Sequence, residues 1–302
     1  MSTRAPLFDS AFLAKLEQLH LLAKRMFRGK HRAERRTRQV GASLEFADYR
    51  EYTPGDELRS IDWNAYGRLD RLFVKLYEQE RDLPVTFLVD CSASMRWVPE
   101  GAAGALDKLD QSRRICAALA YIALANLDRV NIHFFAANPL SELGVARGKA
   151  EFHTILKFLE SAPEPDGPTR LLAAAQAISQ RARRRGLVFV LSDFFDPRGY
   201  GEPLGLLQHS QFEIHVLQIL APEELAPTAT GDLRLQEIET GQFIDVTANE
   251  KLLSRYRDEI ATFNDTLESF CLKRGIAFAR VSTGTAFEDV VLRALRDGVM
   301  VR

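Results

Sequence analysis

Cysteine is scarce in this chain: Cys91, Cys116 and Cys271 stand far apart, with no C-x-x-C pair. An odd number at such spacing excludes a disulfide framework and a thiolate zinc site. Long apolar runs are missing as well. No window approaches 18 consecutive apolar residues, so no segment is expected to span a membrane. Excess charge of either sign is also lacking. Forty Lys and Arg stand against 41 Asp and Glu, a formal net charge of -1, which argues against a nucleic-acid coat protein or a polyacidic tail protein. The first residues, Met1 to Phe8, lack the basic-then-apolar build of a secretory signal. With free thiols, this points to a reducing cytoplasm as the expected location. There is no Gly-x-x-x-x-Gly-Lys-Ser/Thr loop and no Gly-x-Ser-x-Gly elbow, and the six histidines show no metal-ligand spacing.

What is present is a globular composition, 46% hydrophobic and 27% charged, over 302 residues. At about 150 residues per domain this is one large domain or two ordinary ones. Residues 8–28 carry Phe8, Phe12, Leu13, Leu16, Leu19, Leu22, Ala23 and Met26 at helical spacing. A basic block follows, with eight Lys or Arg between Lys24 and Arg38 against the single acid Glu34. Residues 40–82 hold short strand-like segments around a turn at Pro54-Gly55-Asp56. Residues 1–82 therefore read as a small α+β module, helix and basic block included.

From residue 83 to 302 the pattern changes. Val85 to Val89 is a nearly continuous apolar run, as expected of a strand buried on both faces. Val130–Ala136, Leu187–Leu191, Phe212–Leu220 and Ile276–Val281 are further strands. Helical periods fall at 105–127, 151–161, 170–185 and 249–274. This alternation predicts an α/β domain with a doubly wound, mostly parallel sheet and helices on both faces. An insertion at about 222–247 interrupts it with a hairpin, Asp232–Glu239 and Gln242–Val246, around Thr240-Gly241.

Three loops offer hard oxygen atoms at strand ends or helix starts. Asp90-Cys91-Ser92-Ala93-Ser94 follows the first buried strand, Thr169 closes Asp166-Gly167-Pro168-Thr169, and Asp193 ends the strand 187–191. Ligand sites in such sheets form outside the carboxyl ends of the strands. Asp90, Ser92, Ser94, Thr169 and Asp193 make a ligand set suited to Mg²⁺ or Mn²⁺. The plainer account makes Ser92 and Ser94 turn residues and Asp193 a helix cap. His133 and His215 fall within strands, where a satisfied buried or half-buried histidine is the plain reading. Each lone cysteine reads as packing.

Asp-x-Ser-x-Ser followed by that Thr and that Asp resembles the metal-ion-dependent adhesion site of von Willebrand factor A domains, over about 84–298. The resemblance implies hydroxyl ligands from Ser92, Ser94 and Thr169. Asp90 and Asp193 would help hold the metal, directly or through water, and a partner's acidic side chain would complete the octahedron. A second string, Glu45 to Trp63 with Phe73-Val74-Lys75 and Glu78-x-Glu80-Arg81, has a structural account of its own. Pro54-Gly55 makes the turn, Asp56 and Asp62 pair with Arg50 and Arg59, and Trp63 packs beneath.

As a marker, however, that string is similar to a bacterial family of unknown function whose members carry a von Willebrand A-like domain. Those proteins are commonly encoded beside MoxR-type AAA+ ATPases. The resemblance implies a non-enzymatic accessory of such an ATPase, chaperone-like, binding a client protein through the metal. Many relatives have transmembrane helices near the N-terminus, which this sequence does not. The alternative is a metal-dependent phosphohydrolase with Asp90 as nucleophile. Haloacid-dehalogenase-like phosphatases place Asp-x-Asp there, and Ser92 at the second position cannot serve as acid and base. The basic block lacks interleaved aromatics apart from Phe27, so nucleic acid is not an expected partner. An acidic protein surface, or the acid-rich stretch 222–265, fits it better.

Overall fold

The computed structural model describes residues 6–34, 45–78, 83–98, 106–165, 167–181, 185–239 and 241–296. The chain divides into two units, residues 25–82 in one and residues 1–24 with 83–300 in the other. Helix α1 (Ser10–Glu34) starts in the larger unit. Its stripe of Phe12, Leu16, Leu19 and Ala23 is buried there, with the Phe12 ring 4.7 Å from that of Phe287. Residues 12–23 of the expected module over 1–82 thus bury their stripe within the larger unit. The basic block runs along the end of α1 and into residues 35–38, which lie outside the described residues.

In the smaller unit, β1 (Glu45–Glu51) pairs antiparallel with β2 (Phe73–Glu78), with the short helix α2 (Trp63–Leu69) between them. Arg50 pairs with Asp56 at 2.6 Å, as the sequence suggests. This pairing and the Thr53 amide hold the Asp56 carboxyl below the usual range, the amide contributing most. Asp62 does otherwise. It caps α2 by accepting from the Asn64 and Ala65 amides and also accepts from the Tyr49 hydroxyl at 2.7 Å. That cap places Trp63 at the first helical position, where it is 62% exposed rather than packed beneath. Glu80 and Arg81 lie outside the described residues.

The larger unit is built on a six-stranded sheet. Its elements are β3 (Pro84–Asp90), α3 (Lys108–Ala125), β4 (Arg129–Phe135), β5 (Pro139–Arg147), α4 (Phe152–Glu160), α5 (Leu171–Arg181) and β6 (Leu187–Ser192). Next come α6 (Gly201–His209), β7 (Glu213–Leu220), α7 (Pro222–Leu225), β8 (Gly231–Gln236), β9 (Phe243–Ala248), α8 (Glu250–Lys273), β10 (Ala277–Ser282) and α9 (Phe287–Arg296). The strand order is β10-β7-β6-β3-β4-β5. All neighbours are parallel except β5, which pairs antiparallel with β4. The result is a mixed α/β unit with a mostly parallel central sheet flanked by helices. The order reverses at β3, so its carboxyl end faces the crevice where the two halves of the sheet diverge.

Leu88, Val190 and Val216 on one side of the sheet pack with residues of α5, α6 and α8. On the alternate row the Phe87, Phe189 and His215 rings stack in succession, each pair 5.0 Å apart. His215 is buried there with neither ring nitrogen hydrogen-bonded. It lies 3.7 Å from the Glu213 carboxylate, so it is a packed ring rather than the satisfied histidine expected. All three cysteines are free and buried. Burial, with a smaller push from Glu268, raises the Cys271 thiol to about 12, and burial raises Cys116 as well.

The elements that go beyond the sequence reading include β5, α6 and α9, besides the short helices α2 and α7. β5 is an edge strand that opens on Pro139, contains Gly144 and is mostly exposed, so it lacks an apolar run. α6 contains Gly201, Pro203 and Gly205. Among the described side chains of α9, Phe287, Val290, Val291 and Ala294 are buried, a narrow stripe in a short helix.

Gly186 lets β6 start against β3. A Cβ at that position would lie 2.0 Å from the Pro84 carbonyl oxygen, and backbone cannot step aside as a side-chain tip can. Gly186→Ala is expected to cost about 3 kcal/mol, read as a lower urea midpoint. A midpoint equal to wild type would show that the two strands part without cost.

Candidate metal-binding site

Asp90 and Ser192 are neighbours across the β3–β6 register, one step beyond the Val89–Leu191 pair. The Ser192 hydroxyl donates to Asp90 Oδ2 at 2.6 Å, and the Ser92 amide donates to Oδ1 at 3.0 Å. Asp90, Ser92 and Asp193 are buried. Burial foremost, and then the Asp193 charge, push the Asp90 carboxyl up to about 7 against the pull of these hydrogen bonds. The turn after β3 brings the Ser92 and Ser94 hydroxyls 3.1 Å apart.

Thr169 reaches the same end of the sheet by a separate route. The Arg170 amide donates to the Ala136 carbonyl at 2.9 Å, just past the residue that pairs with Asp90. The Leu171 amide donates to Asp196 Oδ2 at 3.1 Å, tying that loop to the one after β6. Gly167, at φ +139, lies so close to Ala137 that a Cβ would come within 3.2 Å of its side chain. Thr169 is itself buried, and no hydrogen bond links its hydroxyl to the other four residues among those described. Asp166 lies outside the described residues.

Asp193 is no helix cap. Its Oδ1 accepts from the Phe195 amide at 3.1 Å and its Oδ2 from Lys108 Nζ at 2.8 Å. Phe194 between them has φ +65, a left-handed conformation rare for a bulky residue, and it turns the chain sharply beside the site. Lys108 is wholly buried and also pairs with Glu224. Burial works to lower its pKa most strongly, but Asp193 and Glu224 outweigh it and the net shift is upward. Its ammonium also stands 5.6 Å from the centre of the Phe195 ring.

A second unexpected carboxylate comes from the inserted hairpin. β8 and β9 pair from Gly231–Ala248 to Gln236–Phe243, so the strand stops three residues before the expected Glu239. Glu239 is thereby freed into the turn, and its Oε1 accepts from the Ser94 amide at 3.1 Å across 145 residues of sequence. Its Oε2 is buried without a hydrogen-bond partner. Thr240 lies outside the described residues.

The structure thus brings Asp90, Ser92 and Ser94 into one turn, sets Asp193 beside them through Ser192, and holds Thr169 on a neighbouring loop. Among the described residues no group of three or more His, Cys, Asp and Glu side chains is placed to hold a metal ion. An ion here would depend on hydroxyl oxygens. The Ser92 and Ser94 hydroxyls lie together, and Thr169 offers a third on the neighbouring loop. Lys108 neutralises Asp193 and Glu224, whereas Asp90 and Glu239 have no cationic partner among the described residues. A cavity of about 490 Å³ lies elsewhere, lined by Pro84, Thr86, Arg129, Asn131, His133 and Arg181 among others. It shares no lining residue with this site, and the His133 pKa there is lowered chiefly by burial.

Sequence reasoning passed over Lys108, Glu224 and Glu239. A lysine at the first position of a helix, against the dipole, was a usable signal for Lys108. Nothing local marks Glu239.

Among the described residues no helix is long and apolar enough to cross a membrane. The chain is 25% identical over 240 residues to the uncharacterized protein Rv1480 of Mycobacterium tuberculosis, covering 79% of this chain and 74% of that protein. An aerotolerance-related membrane protein from Bacteroides fragilis superposes with a TM-score of 0.45 and 16% identity, over 71% of this chain and 99% of that one. The conserved hypothetical protein BatB from Bacteroides thetaiotaomicron does so with a TM-score of 0.44 and 15% identity, over 72% and 98%. Residues 48–265 match the family described as protein of unknown function DUF58, and the chain belongs to that family.

Proposed function

We propose that this chain is a non-enzymatic, metal-ion-dependent protein-recognition module with a von Willebrand factor A-like domain, acting as an accessory to a MoxR-type AAA+ ATPase. One observation carries the reading. The Ser92 and Ser94 hydroxyls converge at the carboxyl end of the central strand, beside a buried Asp90 that has no cationic partner among the described residues. The strand order, reversing at β3 with an antiparallel edge strand, supports the domain type.

Ser92, Ser94 and Thr169 would hold Mg²⁺ or Mn²⁺, with Asp90 and Asp193 helping, directly or through water. Few anionic ligands touch such an ion, so when bound it supplies an electrophile for a partner's carboxylate. The chain's own residues fix the platform. Ser192 and the Ser92 amide lock Asp90, and Lys108 holds Asp193. The similarity of residues 45–81 to ATPase-associated proteins supports the partner. The client would supply the acidic side chain.

The test is a pull-down with wild type, Asp90→Ala and Ser94→Ala, each in Mg²⁺ and in EDTA. A MoxR-type ATPase recovered by wild type in Mg²⁺ alone is the expected result. Equal recovery in every arm moves the contact away from the metal. A generic phosphate ester offered with Mg²⁺ should not turn over, and turnover lost in Asp90→Asn would favour the phosphohydrolase.

A further inference from the structure

The hairpin β8–β9 is exposed along most of both strands, yet its turn delivers a half-buried glutamate to the metal-site loop. We infer that Glu239 is an internal occupant of the position at which a partner's acidic side chain would complete the ion's shell, so that the hairpin competes with the partner for the site. This deepens the metal-dependent reading and rests on it.

Three observations converge. The Ser94 amide fixes Oε1 at 3.1 Å, next to the hydroxyl pair. Oε2 is buried and unpartnered, and a buried carboxylate oxygen without a donor or a cation is costly. The root of the insertion is also tied to the site. Glu224 in α7 pairs with the same Lys108 that holds Asp193, and the Tyr256 hydroxyl donates to the Glu224 carbonyl at 3.0 Å. The hairpin is therefore anchored at its base and engaged at its tip. A partner carboxylate must displace the tip while the base stays in place. A Glu in cis has a high effective concentration, so only a partner with a better-placed acid, or one that also grips the hairpin, gains entry.

The experiment uses the full chain and Mg²⁺ alone as probe, comparing wild type with Glu239→Gln by titration calorimetry and amide hydrogen exchange. The glutamine keeps the Oε1 hydrogen bond and the shape but removes the charge. In wild type, Mg²⁺ should slow exchange of the Ser94 amide and of residues 231–248. In Glu239→Gln, Mg²⁺ should bind about tenfold more weakly and leave the hairpin's exchange unchanged. Equal affinity in both proteins with no Mg²⁺ effect on the hairpin overturns the role of Glu239 and leaves the metal reading standing. No Mg²⁺ binding to wild type overturns both.

Discussion

A Lys108→Met variant is expected to lose about 3–5 kcal/mol of stability. Lys108 is fully buried between Asp193, also buried, and Glu224, whose side chain is 18% exposed. Methionine fills much of the same space but leaves two carboxylates facing each other without a cation. Most of the loss is the penalty of that uncompensated charge rather than of missing packing. The position also sits at the start of α3, after the Asp107 cap, where a cation opposes the helix dipole. The two carboxylates outweigh that conflict. Removing Glu224 as well, in Lys108→Met/Glu224→Gln, should restore part of the loss, because fewer charges are stranded. Urea denaturation followed by circular dichroism measures both. A loss under about 1 kcal/mol for the single variant would mean that the ammonium is solvated and the buried pairing wrong.

The sheet was legible because its central strands are buried on both faces. Val85–Val89 and Leu187–Leu191 leave no alternative to a covered parallel strand. β5 was not legible for the opposite reason: an edge strand has one neighbour and one covered side, so Pro139 and Gly144 carry no penalty there. The turn chemistry of Asp90, Ser92 and Ser94 is local, and the sequence displays it within five residues. Lys108 and Glu239 act over distances of 85 and 145 residues. Their partners are decided by how the loops meet at one end of the sheet, which no local pattern encodes. Trp63 went astray for a related reason. An aromatic residue beside a turn reads as packing beneath it, whereas the Asp62 cap starts a helix that leaves Trp63 outward.

Loss of the proposed ion is the other large effect expected, and Ser94→Ala isolates it. The Ser94 hydroxyl bonds only to that of Ser92 among the described residues, so its removal should cost about 1 kcal/mol or less in stability. The hydroxyl is nevertheless one of the three neutral oxygens proposed to touch the ion. The Ser94 amide would still hold Glu239, and Asp90 would keep both its hydrogen bonds. Folding and ion binding therefore separate in this variant, whereas in Asp90→Ala they do not.

The most direct test of the central claim is a Mg²⁺ titration of the full chain by calorimetry, wild type against Ser94→Ala, with thermal melts of both in EDTA. The account predicts one ion bound by wild type, binding abolished in Ser94→Ala, and nearly coincident melts. Wild type that binds no Mg²⁺, or a variant that binds it as well as wild type does, would contradict it.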